Sequence, residues 1–238
     1  MIEKKFLVLV PAYNEEKNIS SLLSELQAQS MGFDVVVIDD GSSDSTCKVA
    51  GKKDVPVISH VFNLGIGGAV QTGILYAFQR GYDIVIQVDG DGQHDPRFIE
   101  KLLTPLLSEE CDIAIGSRFL DPFAGYRSSF IRRIGINFFA VLISFLTGCP
   151  VTDPTSGFRA MNRKAIKVFS EYYPIDFPEP ESIMVAKRMG LRIQEIPVEM
   201  RKRLAGISSI RYCKTFYYMI KVTFAILLDK LKKKGKGD

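Results

Sequence analysis

Two aspartates one residue apart, Asp89 and Asp91, sit in the string VDGDGQHDP that runs from Val88 to Pro96. An apolar β-branched run, Tyr82–Val88, leads into them and reads as a buried strand ending where the glycines begin. Residues i and i+2 of an extended segment point the same way, so both carboxylates can face one ligand. With the Gln93 amide they make a set of hard oxygen donors, which suits Mg²⁺ or Mn²⁺ rather than zinc. A divalent ion held there would neutralise a diphosphate. Asp-Gly pairs are also ordinary turn chemistry, and on this string alone a metal site and a turn are evenly matched.

Three further motifs carry polar groups. Pro11-Ala-Tyr-Asn-Glu15 closes a strand and offers a ring face, an amide and a carboxylate to a base or ribose, although Asn14 could equally cap the next helix. Asp39-Asp40-Gly-Ser-Ser-Asp-Ser closes another strand. One of its aspartates could accept from a ring imino N–H while the other helps cap the following helix. Asn63-Leu-Gly-Ile-Gly-Gly68 opens a helix with closely spaced glycines, including Gly65, that would allow backbone to approach a ligand. It is neither a dinucleotide fingerprint in its usual place nor a phosphate-binding P-loop.

The elements that must position these motifs alternate. Strands are expected at Phe6–Val10, Val35–Ile38, Val55–His60, Ile84–Val88 and Ile113–Gly116. Helices are expected at Glu16–Gln29, Ser45–Lys52, Gly67–Arg80 and Pro96–Leu107. Such alternation means βαβ units, and ligands collect at the carboxyl ends of the strands in such sheets. Each motif above falls at such an end, which tips the balance towards a ligand site.

From about residue 117 the pattern changes to a polar, arginine-bearing stretch followed by an apolar helix, Ile134–Leu146, too short to span a bilayer. A second apolar segment, Phe216–Leu231, is interrupted by Lys221 and Asp229, and the last nine residues hold five lysines. Such an end suits an amphipathic helix against an anionic membrane or a partner, and the plainer alternative is a helix packing on the core or on a second copy of the chain. The expected division is therefore a catalytic domain over 1–212 and an amphipathic, lysine-ended helix over 213–238. A net charge of +4 is too small to argue for nucleic acid. Four scattered cysteines and two histidines argue against zinc or a disulfide framework and fit a reducing cytoplasm. Met1-Ile-Glu-Lys-Lys leads straight into a strand, so no signal peptide is expected.

The ordered set PAYNE, IDDGSSDST, NLGIGGA, VDGDGQHDP, GSRF, DPTSGFR and RLAGISS resembles the family 2 glycosyltransferases. Within them it is most similar to the dolichol-phosphate-mannose-synthase-like branch and its bacterial polysaccharide relatives, over roughly residues 5–210. The resemblance implies a nucleotide-diphospho-sugar transferase (GT-A type) α/β fold. It further implies a mostly parallel central sheet flanked by helices, here with an apolar C-terminal helix, and inverting chemistry with Mg²⁺ or Mn²⁺ at a cytoplasm-facing site. Pro11, Ala12, Tyr13 and Glu15 would line the nucleotide site with Gly65 and Gly90, and Asp40 would contact the base. Asp89 would sit near metal and ribose, Asp91 and Gln93 would bind the metal, and Arg203 would clasp the diphosphate. Ser209 stands where the lipid-phosphate mannosyl synthases have lysine, an ending closer to bacterial polysaccharide transferases.

The expected reaction moves a hexose from a nucleotide-diphosphate sugar to a polyprenyl-phosphate or lipid-linked saccharide during cell-envelope glycan synthesis, with catalysis resting on Asp91, Glu179 and Arg203. A lipid phosphate needs no general base, and Arg118, Arg132 and Arg133 would hold it. A sugar hydroxyl needs one, and Glu179 falls where relatives carry theirs, although a carboxylate at a helix start is favoured by the dipole alone. Asp153 would lie in the acceptor-side loop, or simply cap a turn. Lacking a pair of membrane-spanning helices, the chain is expected to sit peripherally on the inner face of the cell membrane. Two alternatives stand beside this one. A nucleotidyltransferase would want a lysine-bearing triphosphate loop, which PAYNEE is not; the other is a non-catalytic sugar-nucleotide-binding partner of a polysaccharide synthase.

Overall fold

The computed structural model describes residues 4–120, 130–201, 221–224 and 226. The first half alternates strand and helix: β1 (Phe6–Ala12), α1 (Ile19–Gln27), β2 (Asp34–Asp39), α2 (Thr46–Gly51), β3 (Val57–Ser59), α3 (Gly65–Arg80) and β4 (Ile84–Gln87). A 3₁₀ turn (Pro96–Phe98) then leads into α4 (Ile99–Leu107) and β5 (Ile113–Ser117). The second half holds α5 (Phe130–Thr147), β6 (Arg159–Asn162), α6 (Arg163–Glu171), α7 (Pro178–Arg188) and β7 (Ile193–Pro197).

Strand residues divide by parity between two cores. Leu7, Leu9, Val36, Ile38 and Val85 bury on the face that also takes residues of α3, α5, α6 and α7. Val8, Val10, Val37, Ile84 and Ile86 bury on the opposite face, with residues of α1 and α4. These inner strands are covered on both sides, which is why β1, β2 and β4 are written as nearly unbroken apolar runs. Each fully buried Leu or Ile in such a layer contributes roughly 1.5–3 kcal/mol relative to exposure.

The expected sheet and C-terminal helix need correction. The seven strands run β3-β2-β1-β4-β6-β5-β7 and form a mixed sheet, because β6 lies antiparallel between β4 and β5. After β5 the chain makes α5 and returns to the edge it left, so β6 begins where β5 ends, with Arg159 beside Ile115. The loop before β6 therefore joins the carboxyl ends of the parallel strands. No apolar C-terminal helix is present as an element among the described residues, of which β7 is the last. Val222 and Ile226 are buried in the core, so their apolar side is spent on this domain instead of being displayed to a membrane or partner. The rest of Phe216–Leu231 and the lysine-rich end lie outside the described residues.

Candidate active site

Three loops meet through their backbones at the carboxyl end of β1. The Asp40 N–H donates to the Ala12 carbonyl at 2.9 Å, and the Gly90 N–H donates to that of Pro11 at 3.0 Å. A methyl group at Gly90 would stand 3.0 Å from both the Ala12 Cβ and the Pro11 oxygen, so the aspartate loop lies directly against the first motif. Pro11, Ala12 and Gly90 thus form the floor that joins the two.

The first two motifs are stapled to each other. Asn14 adopts φ +55°, its N–H donates to Ser42 Oγ, and its side-chain oxygen accepts from the Ser43 N–H, both at 2.9 Å. It ties loops together and does not cap α1, whose N-cap is Asn18. Glu15 is buried, accepts from Asn18 Nδ2 at 2.6 Å and donates its N–H to Thr46 Oγ1 at 2.7 Å, so it braces the loop from within. Tyr13, 47% exposed, keeps its ring at the surface of this edge.

The two neighbouring aspartates divide their work. Asp40 accepts from the Leu64 and Gly65 N–H groups at 2.9 Å and from His60 at 2.8 Å, so its carboxylate caps the start of α3. Asp39 is buried and its Oδ1 has no hydrogen-bond partner among the described residues. Because Asp40 occupies the positive end of α3, that helix start is already matched with an anion. Gly67 and Gly73 serve packing, since a methyl group at the first would run into the Ile175 backbone and one at the second into Leu9, while Gly65 supplies a left-handed turn at φ +84°.

The aspartate loop itself is rigidly held. Gln87 Nε2 donates to Asp89 Oδ1 at 3.0 Å, and the Asp89 N–H donates to His94 Nδ1 at 3.0 Å. The His94 ring stacks on Phe158 at 4.8 Å, which accounts for its burial and makes it a loop former. Asp91 Oδ1 accepts from the Gln93 N–H at 3.0 Å. The Gln93 carbonyl accepts from the Arg201 N–H at 2.9 Å, and Arg201 also pairs with Asp95 and Glu25. Burial opposes charge on Asp95, but hydrogen bonds from Arg97 and Arg201 outweigh it and hold its pKa below the usual carboxylate range. The chain is therefore pinned beside Gln93 two residues before Arg203, which itself lies outside the described residues.

On the other flank, Arg118 and Asp153 form a buried pair. The guanidinium donates to both Asp153 oxygens at 2.6 Å and to Thr155 Oγ1 at 2.7 Å. Glu195 holds the same loop by accepting from the Thr152 and Asp153 N–H groups. Arg118 and Asp153 are thus turned towards each other, and the sequence alone could not show it across a separation of 35 positions. Arg133 is exposed near Phe119, while the Arg132 side chain lies outside the described residues.

Glu179 opens α7, where the helix dipole favours its charged form. Burial nevertheless raises its pKa above the usual value, with the Asp89 charge adding to the rise and Arg159 and Arg118 opposing it. The structure thus brings Glu179 into the electrostatic reach of Asp89. Arg159 was not singled out by its sequence context, yet it is the hub of this flank. Buried on β6, it donates to the carbonyls of Ser156 at 2.7 Å and Glu179 at 2.8 Å and to Ser182 Oγ. The only sequence signal was its place at the end of DPTSGFR.

Comparison with known proteins agrees with this arrangement. The profile of glycosyl transferase family 2 matches residues 7–169. An uncharacterised protein of Methanocaldococcus jannaschii is 40% identical over 82% of this chain and 81% of its own length. The UDP-N-acetylglucosamine–dolichyl-phosphate N-acetylglucosaminyltransferase of Methanococcus voltae is 30% identical over 96% of this chain and 100% of its own. Among solved structures, glucosyl-3-phosphoglycerate synthase from Mycobacterium tuberculosis, in complex with Mn²⁺ and UDP-glucose, superposes with a TM-score of 0.72. That match has 22% identity and covers 98% of this chain and 81% of the synthase, so it establishes a shared fold of the GT-A kind. The motifs, the family profile and the full-length relative agree: the chain is an enzyme of the family 2 glycosyltransferases, related to the dolichol- and polyprenyl-phosphate sugar transferases.

Proposed function

We propose that the enzyme is an inverting, metal-dependent hexosyltransferase acting on a nucleotide-diphosphate sugar, with a polyprenyl phosphate or lipid-linked saccharide as acceptor. The observation that carries this reading is the backbone junction of Gly90 with Pro11–Ala12, which sets the Asp89–Asp91 carboxylate pair beside the carboxyl end of β1. The M. voltae relative, named for transfer from UDP-N-acetylglucosamine to dolichyl phosphate, supports the choice of substrates.

The residues present fit Mg²⁺ or Mn²⁺. Asp89, partly exposed, Asp91 and the Gln93 amide offer hard oxygens, while His94 is spent on the backbone. Among the described residues no group of three His, Cys, Asp or Glu encloses a cation. That suits an ion taking part of its shell from a diphosphate. When bound, the ion supplies charge neutralisation to the departing diphosphate.

The chain's own groups supply the rest. Tyr13 presents its ring beside the base, and the Asp39–Asp40 end of β2 reads the base edge while Asp40 also fixes α3. Arg203 clasps the diphosphate. Attack then comes from the opposite face of the sugar. A phosphate acceptor arrives already anionic, and the exposed Arg133 with Arg132 meets it. A hydroxyl acceptor delivers its proton to Glu179, whose raised pKa makes it the stronger base. Arg118 and Asp153 shape the acceptor-side loop as a pair.

A peripheral membrane position agrees with α5. Ile134, Phe138, Val141 and Phe145 share one exposed face, with Arg133 at its start and no acidic residue in the helix. No helix among the described residues is long and apolar enough to cross a membrane.

Thermal shift with UDP, GDP and dTDP sugars, with and without Mn²⁺, tests the donor site. Metal-dependent stabilisation by one nucleotide class, abolished in Asp91→Ala, is the expected result. A folded protein that no donor stabilises would overturn the reading.

A further inference from the structure

Asp89 is held from three sides by groups that the proposed chemistry does not use. Gln87, the last residue of β4, is 2% exposed and donates its side-chain amide to Asp89 Oδ1 at 3.0 Å. His94 accepts from the Asp89 N–H through Nδ1, so its ring proton sits on Nε2, 3.7 Å from Asp89 Oδ2. Gly157 closes the third side. A methyl group there would stand 3.0 Å from Asp89 Oδ2, 3.0 Å from Gln87 Nε2 and 3.4 Å from Asp89 Oδ1. Both oxygens and the amide would have to give by a few tenths of an ångström.

A buried glutamine in an inner strand is costly unless its amide is engaged. Gln87 pairs in register with Arg159, across the antiparallel junction that brings the Ser156-Gly157 turn over the strand end. An apolar residue would serve the sheet equally well at this position, since Val85 and Ile86 beside it are buried. What an apolar residue could not do is hold a carboxylate oxygen. The side chain of Asp89 keeps 31% of its surface open, so the held carboxylate still presents itself outward.

We propose that Gln87 is a positioning residue for the donor site: its amide, roofed by the bare backbone of Gly157, fixes the Asp89 carboxylate in the orientation that meets the cation. This rests on the donor-site reading above. Groups that orient a metal-binding carboxylate from behind are worth about 10–100-fold in metal affinity.

The test is the Mn²⁺ affinity of the intact chain. It is read from the free-Mn²⁺ paramagnetic resonance signal at saturating UDP, GDP or dTDP, with protein-free controls and a melting curve for each variant. Gln87→Met keeps the volume and removes the donor, and Gly157→Ala keeps the donor but presses on both Asp89 and the Gln87 amide. Each is expected to weaken Mn²⁺ binding by about tenfold or more. Gly157→Ala decides the matter should Gln87→Met not fold. Wild-type Mn²⁺ affinity in the folded variants, even with a lowered melting temperature, would show a merely structural glutamine and overturn the proposal. Absence of Mn²⁺ binding by the wild type with every nucleotide would instead overturn the donor-site reading itself.

Discussion

Removing the arginine from the Arg118–Asp153 pair separates a scaffold role from a substrate-binding one. The Asp153 side chain is 0% exposed and takes Arg118 Nε, Nη2 and the Arg118 backbone N–H, each within 3.1 Å. In Arg118→Met the carboxylate would keep the backbone N–H and Thr155 but lose both guanidinium bonds, leaving an uncompensated charge in the interior. Breaking a buried pair in this way costs about 3–5 kcal/mol. For a domain of this size each kcal/mol lowers the melting temperature by about 2–4 °C, so the expected drop is about 6–20 °C. The measurement is urea unfolding of wild type, Arg118→Met, Asp153→Asn and the double variant. A coupling of at least about 2 kcal/mol is expected, because each residue is the other's main partner. A loss below about 1 kcal/mol, accompanied by a selective rise in KM for the acceptor, would refute the internal-pair account and make Arg118 a ligand of the acceptor.

Three other predictions bear on separate parts of the molecule. Burial opposes charge on Asp112, but hydrogen bonds from Arg192 and Asn162 prevail and bring its pKa down to about 2. Its contribution, about 2 kcal/mol, is therefore present above pH 3.8 and lost as pH falls towards 2, and Arg192→Ala should flatten that part of the stability curve. Gly73→Val drives a branched side chain of α3 into Leu9 of β1 and should cost about 1–3 kcal/mol in chemical unfolding; an unchanged midpoint would show that the two elements can move apart. Glu179→Gln should lower kcat by about 10²–10⁴ with a hydroxyl acceptor and erase the acid limb of its pH profile, since a base works only when deprotonated. With a phosphate acceptor the same change should leave kcat and the profile as they were.

The first half of the fold was legible because its strands announce themselves. FLVLV, VVVI and IVIQ are buried on both faces, and each ends at a motif too polar to continue the strand. In the second half only α5 was legible, as the apolar run Ile134–Leu146. β6 is RAMN, four residues whose first is a buried arginine, and neither periodicity nor β-branching marks it. α7 begins PEPES, where Glu179 was the one hint of a helix start; the helix tolerates two prolines in its first turn because its opening N–H groups need no internal partner. Missing β6 meant missing the antiparallel return that brings Gly157 and Arg159 to the site. The candidate site was legible as a set of loops and not as a set of contacts. Asp39 and Asp40 are identical letters, and only the fold shows that Asp40 caps α3 while Asp39 keeps a buried oxygen with no partner among the described residues. Likewise the glycines of GIGGA suggested a ligand approach, whereas α3 uses Gly67 to meet the Ile175 backbone and Gly68 to meet Leu64.

The most direct test is sugar transfer itself. The purified full chain would be incubated with radiolabelled UDP-glucose, UDP-N-acetylglucosamine, GDP-mannose or dTDP-rhamnose, a polyprenyl phosphate in detergent, and either Mn²⁺ or a chelator. The account predicts label in the lipid fraction from one donor, dependent on the metal and lost in Asp91→Asn while the fold persists. Transfer that survives both the chelator and Asp91→Asn would contradict it.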